Sequence, residues 1–76
     1  MKAKEMFKKL GYKQQVNDDE ELSYEKKITI DDWEQETINI TFWLNEKVID
    51  VDNYIDIYSL QAKNKQVEEL GWLDER

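Results

Sequence analysis

The 76-residue chain has no cysteine, no histidine and no proline, and only two glycines. Without cysteine it can form neither a disulfide nor a thiolate metal site. Without histidine it loses the commonest catalytic base and the commonest metal ligand. Long apolar runs are also missing, so nothing resembles a signal peptide or a membrane span, and a soluble cytoplasmic protein is expected. No repeat, low-complexity stretch or proline-rich linker divides the chain, and residues 1–76 read as a single domain. A domain this short buries only about 60% of its unfolded surface. Its core must come from Ile, Val, Leu, Phe, Tyr and Trp. The net charge is -7, spread along the chain. That favours solubility and disfavours nucleic acid and anionic lipid as partners.

What is present has the periods of regular structure. Ala3, Met6, Phe7 and Leu10 fall at i, i+3, i+4 and i+7, one stripe of a helix that should stop at Gly11. Residues 12–16 read as a short strand with Tyr12, Gln14 and Val16 on one face, and residues 17–21 as a loop. In residues 22–30, Leu22, Tyr24, Ile28 and Ile30 share a face broken only by Lys26. Residues 31–36 read as the next loop. Residues 37–44 alternate most clearly, with Ile38, Ile40, Phe42 and Leu44 opposite Thr37, Asn39, Thr41 and Trp43. A tight turn at Asn45-Glu46 pairs Phe42 with Ile49 and Ile40 with Val51. The same matching predicts Ile30 opposite Ile38 and Ile28 opposite Ile40. Ser59 is the expected N-cap of a second helix from Leu60 to Leu70, whose buried stripe is Leu60, Val67 and Leu70.

"FKKLGY" (7–12) and "VEELGW" (67–72) share one grammar: an apolar residue, two like charges, then Leu-Gly-aromatic. Gly just past a helix end takes the left-handed conformation. The aromatic after it folds back on the apolar residue five before, Tyr12 on Phe7 and Trp72 on Val67. The repeat is therefore a helix terminator used twice. The fold expected is α+β: an antiparallel meander sheet of three or four strands, with an N-terminal and a C-terminal helix packed on one face.

The residues point away from an enzyme and from any cofactor. Asp50, Asp52 and Asp56 resemble the start of a calcium loop, but its sixth position is Ile55 instead of Gly and its twelfth is Gln61 instead of Glu. No metal site follows. Ser23 and Ser59 have no histidine to activate them, and no glycine-rich loop could cradle a phosphate. Lys2, Lys4, Lys8, Lys9 and Lys13 cluster near the start, but beside an acidic chain they read as a solvated helix face.

Interaction is the class that remains. Asp18, Asp19, Glu20, Glu21, Asp31, Asp32 and Glu34 far outnumber the local bases and could form an acidic surface facing a basic protein. Trp43 lies on the outward face, opposite Val48 across one hairpin, with Glu25 expected beside it across the other. Trp33, among acids, either contacts a partner or, as expected here, tucks back onto the sheet edge. The alternative class is a homodimer that buries the outward aromatics.

The segments "AKEMFKKLGY" and "LQAKNKQVEELGW" also resemble small uncharacterised proteins of phages and prophages of Gram-positive bacteria. The resemblance covers both helices and, more loosely, the acidic strands between them. It implies a phage-encoded accessory protein in a bacterial host cytoplasm that binds a host protein, sometimes by imitating DNA. It brings no catalytic or binding residues.

Overall fold

The apolar stripe at the start forms helix α1 (Ala3–Lys9), with Ala3 and Phe7 fully buried. The computed structural model describes residues 1–74. Four strands follow: β1 (Lys13–Asn17), β2 (Glu21–Thr29), β3 (Gln35–Trp43) and β4 (Val48–Asp52). Helix α2 (Ile57–Glu69) and a 3-10 turn (Trp72–Asp74) complete the described chain. The strands pair antiparallel in chain order, β1-β2-β3-β4. The two helices pack on each other and on one face of this meander.

Both glycines end their helices as expected, and Tyr12 folds back on Phe7. Gly11 has φ +94° and Gly71 φ +76°. After α1 the Gly11 N–H donates to the Lys8 carbonyl at 3.0 Å and the Tyr12 N–H to the Phe7 carbonyl at 2.9 Å, the full Schellman pair. Gly71 repeats the first of these bonds, to Glu68 at 3.0 Å. Gly11→Ala and Gly71→Ala should each cost about 1 kcal/mol, because a Cβ is strained at positive φ whatever the space around it. Urea melts check this, and an unchanged midpoint at both sites would remove the terminator role.

The core is a stack of rings. Phe7 lies flat against Tyr24, with centroids 4.0 Å apart and planes at 19°. It meets Tyr12 edge-on at 5.3 Å, and Phe42 closes the cluster edge-on to Tyr24 at 6.4 Å. Trp72 reaches Phe42 from the second terminator, at 6.3 Å. The two buried phenols need partners. Tyr12 shares a hydrogen bond with Ser59 Oγ at 2.8 Å, and Tyr24 donates to Gln66 Oε1 at 2.8 Å. Burial pushes both tyrosine pKa values above the ordinary 10.0.

Those bonds explain how α2 departs from expectation. The helix starts at Ile57, and its N-cap is Asp56, whose carboxylate accepts the Ser59 N–H at 2.7 Å. That bond holds the Asp56 pKa below its usual value. Ser59 is therefore not the cap but a buried residue of the first turn. The face turned inward carries Ser59, Ala62 and Gln66, while Leu60, Val67 and Leu70 are only half-buried. Small and hydrogen-bonding residues must face the sheet because the tyrosine hydroxyls point at them. Periodicity of apolar residues alone could not show that.

The strands bear out the β3–β4 register: Phe42 faces Ile49 and Ile40 faces Val51. The turn is broader than two residues, however. Trp43 and Val48 are the last pair, and Lys47, not Asn45, takes the positive φ of 55°. Between β2 and β3 the expected register is wrong by four residues. Ile28 faces Glu36, and it is Tyr24 that faces Ile40. A compact turn over Asp31–Glu34, closed by the Ile30 N–H donating to the Glu34 carbonyl at 3.0 Å, draws Gln35 and Glu36 into the strand. Four is an even slip, so every side chain keeps its face. On β1 a bulge between Gln14 and Val16 does change a face: Gln14 pairs with Tyr24 on the core side, but Val16 pairs with Ser23 on the outer side. Lys26, on the core side, sets its ammonium 5.6 Å from the Tyr12 ring centroid.

Pairing with β1 stops at Glu25 and pairing with β4 stops at Asn39. Residues 26–29 and 35–38 therefore continue as a ribbon of two strands, adding roughly 13 Å at about 3.3 Å per residue. This arm helps to give the molecule its long dimension of 48 Å against 23 and 18 Å.

Candidate functional site

Successive turns of a meander fall at opposite ends of the sheet, and this divides the acidic residues. Asp18, Asp19, Glu20 and Glu21 occupy the β1–β2 turn at one end, beside the β3–β4 turn, to which the Leu44 N–H donating to the Glu20 carbonyl at 2.9 Å ties them. Asp31, Asp32 and Glu34 occupy the tip of the arm at the other end. The separation is roughly 30 Å, the length of the nine-residue β2. The seven carboxylates do not form one surface.

The two turns are built alike. In the first, Asp18 Oδ1 accepts the N–H groups of Glu20 and Glu21, each at 2.8 Å. In the second, Asp31 Oδ1 accepts those of Trp33 at 2.7 Å and Glu34 at 2.8 Å. Asp18 and Asp31 therefore shape their turns. The signal was present in the sequence as two Asp-Asp-x-Glu runs, each between two strands. Asp19, Glu20, Asp32 and Glu34 remain exposed, and Glu21 is half-buried.

At the first end, the outer face adds an apolar element. Glu21, Trp43 and Val48 form one row across β2, β3 and β4. Trp43 is 37% exposed and Val48 49%. The neighbour of Trp43 is thus Glu21 and not the expected Glu25, which pairs with Asn39 as a result of the four-residue slip. Tyr12 does not cover Trp43, being buried on the core side. The acids of the β1–β2 turn and this Trp-Val pair adjoin each other, forming an apolar spot with a carboxylate rim.

At the other end, Trp33 does not tuck onto the sheet. It is 92% exposed, because the compact turn places it at the tip, beyond the reach of either helix. Asp50 and Asp52 lie on the outer face of β4, and Asp56 caps α2. The three are divided between β4 and the start of α2.

One arrangement was not foreseen. Lys4 and Lys8 stand one turn apart on α1, and Lys13 follows just after the terminator. Together with Tyr12, Gln14 and Tyr24 they line a cleft of about 230 Å3 between α1 and β1. Its floor is aromatic and its rim basic, in a chain of net charge -7. Lys4, Lys8 and Lys13 make no ion pair with the described residues. The sequence offered a cue in the four-residue spacing of Lys4 and Lys8, which places them on one helical face.

No helix among the described residues is long and apolar enough to cross a membrane. Compared with known proteins, the chain matches no family model, no curated protein and no solved structure.

Proposed function

We propose that this chain is a non-enzymatic binding protein that meets a basic protein surface with the end of its sheet formed by the β1–β2 and β3–β4 turns. The observation that carries this is the row Glu21, Trp43, Val48 set against the exposed acids Asp19 and Glu20. Tryptophan is the residue most enriched among interface hot spots, and a polar rim around a small apolar centre is the usual anatomy of an interface. The carboxylates speed encounter with a basic partner and weaken in salt. The setting proposed, from the resemblance of the two helical segments, is that of a phage or prophage accessory protein acting in a bacterial cytoplasm.

The test is affinity capture from a bacterial lysate with three baits: the wild type, Trp43→Ala, and the triple variant Asp19→Asn, Glu20→Gln, Glu21→Gln. Asp18 is left alone, since its carboxylate shapes the turn. Trp43→Ala should lose the captured protein at a cost of roughly 2 kcal/mol or more in binding. Its folding stability should fall far less than the roughly 3–5 kcal/mol of a buried tryptophan. The triple variant should match the wild type only at high salt, where both bind weakly. Equal capture by all three baits at low salt would sink the proposal.

A further inference from the structure

The arm tip and the lysine-rimmed cleft complement each other. The tip presents one fully displayed indole, Trp33, 92% exposed, flanked by Asp31, Asp32 and Glu34. The cleft presents an aromatic floor, Tyr12 and Tyr24, beneath Lys4, Lys8 and Lys13. Two exposed carboxylates, Asp32 and Glu34, stand on one feature and three exposed lysines on the other. Asp32 and Glu34 have no ion pair with the described residues, and neither do the three lysines. The cleft's 230 Å3 is below the roughly 300–1,000 Å3 typical of small-molecule sites, but it is of a size for a single aromatic side chain. Lysine ammonium groups are attracted to the indole face, the best of the aromatic partners for a cation. The tip is also pre-shaped, because Asp31 already holds the Trp33 and Glu34 N–H groups, so little order has to be imposed on docking.

We propose that the Lys4/Lys8/Lys13 cleft is a docking site for the Trp33 arm of a second copy of this chain. The arm cannot fill its own cleft: the tip lies a ribbon's length beyond the last residue that pairs with β1. Tip and cleft are different patches, so the contact is heterologous. Two copies can exchange arms reciprocally, or successive copies can join head to tail. This contact uses none of the residues of the Trp43 end and does not depend on a foreign partner.

Analytical ultracentrifugation over a concentration series, at low and high salt, tests it with chains that keep their fold. The wild type should associate at low salt and dissociate as salt rises. Trp33→Ala, a change at an exposed tip, should weaken association roughly tenfold or more while the circular dichroism spectrum and melting stay unchanged. The decisive pair reverses the charges. One variant carries Asp32→Lys and Glu34→Lys, and the other carries Lys4→Glu and Lys8→Glu. Each alone sets like charges against each other and should remain a monomer. Mixed, basic tips face acidic clefts and acidic tips face basic clefts, and association should return. A wild type that is monomeric at every concentration overturns the proposal and leaves the arm to a foreign partner. Association that survives Trp33→Ala, or a mixture of the two folded variants that stays monomeric, overturns it equally. Trp43→Ala should not affect self-association, which separates this contact from the one that the Trp43 end makes with a basic protein.

Discussion

Phe7→Ala should leave the protein largely unfolded at ordinary temperature. Phe7 is fully buried, stacks on Tyr24 at 4.0 Å, meets Tyr12 edge-on at 5.3 Å, and lies 6.5 Å from Phe42. It is the main bulk that the seven-residue α1 contributes to the core. Truncating a buried phenylalanine costs roughly 3–5 kcal/mol through lost transfer energy and the cavity left behind. A domain of this size has about 5 kcal/mol to lose, with no disulfide to fall back on. Without Phe7, α1 has only Ala3 fully buried, and a helix of two turns does not persist alone in water. Far-UV circular dichroism with urea titration provides the measurement. Phe7→Leu, which keeps most of the volume, should retain a cooperative transition at lower midpoint. If Phe7→Ala melts like the wild type, the ring stack is not what holds the helix to the sheet.

Gln66→Leu is expected to cost roughly 1–3 kcal/mol, although it makes the interior more apolar. Gln66 is 7% exposed, and its Oε1 accepts the hydroxyl proton of Tyr24, itself 2% exposed. Removing the acceptor strands a buried phenol donor, and the cost is that of a desolvated polar group with no partner. Tyr24→Phe strands the glutamine carbonyl instead, with a similar loss. Removing both partners at once, in Tyr24→Phe with Gln66→Leu, should recover much of the stability, so the double loss should be well below the sum of the two single losses. Strict additivity in denaturant melts would mean that the hydrogen bond contributes little and that only packing is being measured.

Local signals in the chain carry through to the structure, whereas those that depend on distant contacts do not. The terminators at Gly11 and Gly71 and the alternation of Ile38, Ile40 and Phe42 were legible because they are local, and the structure shows them as expected. The facing of β2 and β3 survived a four-residue error in register because sheet faces depend only on parity. The register itself turned on a turn closed by Asp31, a side-chain hydrogen bond that hydrophobic matching does not see. Val16 changed face for a similar reason, a one-residue bulge that no alternation can announce. The inward face of α2 was read as Leu60, Val67 and Leu70, but it is set by two tyrosine hydroxyls arriving from β2 and the segment after α1. Of the interaction candidates, sequence could place Trp43 and Val48 on one face. It could not show that the acids divide between two ends, nor that the early lysines surround a cleft, since both are consequences of topology.

The strand order also governs how the chain finds its structure. Each strand pairs with the one before it, so each ladder can close as soon as its second strand is available, at the entropic cost of a short turn. The helical layer is the reverse. The Ala3 N–H donates to Glu69 Oε2 at 2.7 Å across a sequence separation of 66, nearly the greatest the chain allows. Contacts of such span reward the chain only after most of its freedom has been surrendered. The meander is therefore expected to form before α1 joins α2 over it. In that order the inner face of the sheet, with Tyr24, Ile40 and Phe42, would be covered only at the end. Contacts of this span are expected to complete after the barrier, so substitutions in α1 should hasten unfolding more than they delay folding, which stopped-flow refolding and unfolding rates would check.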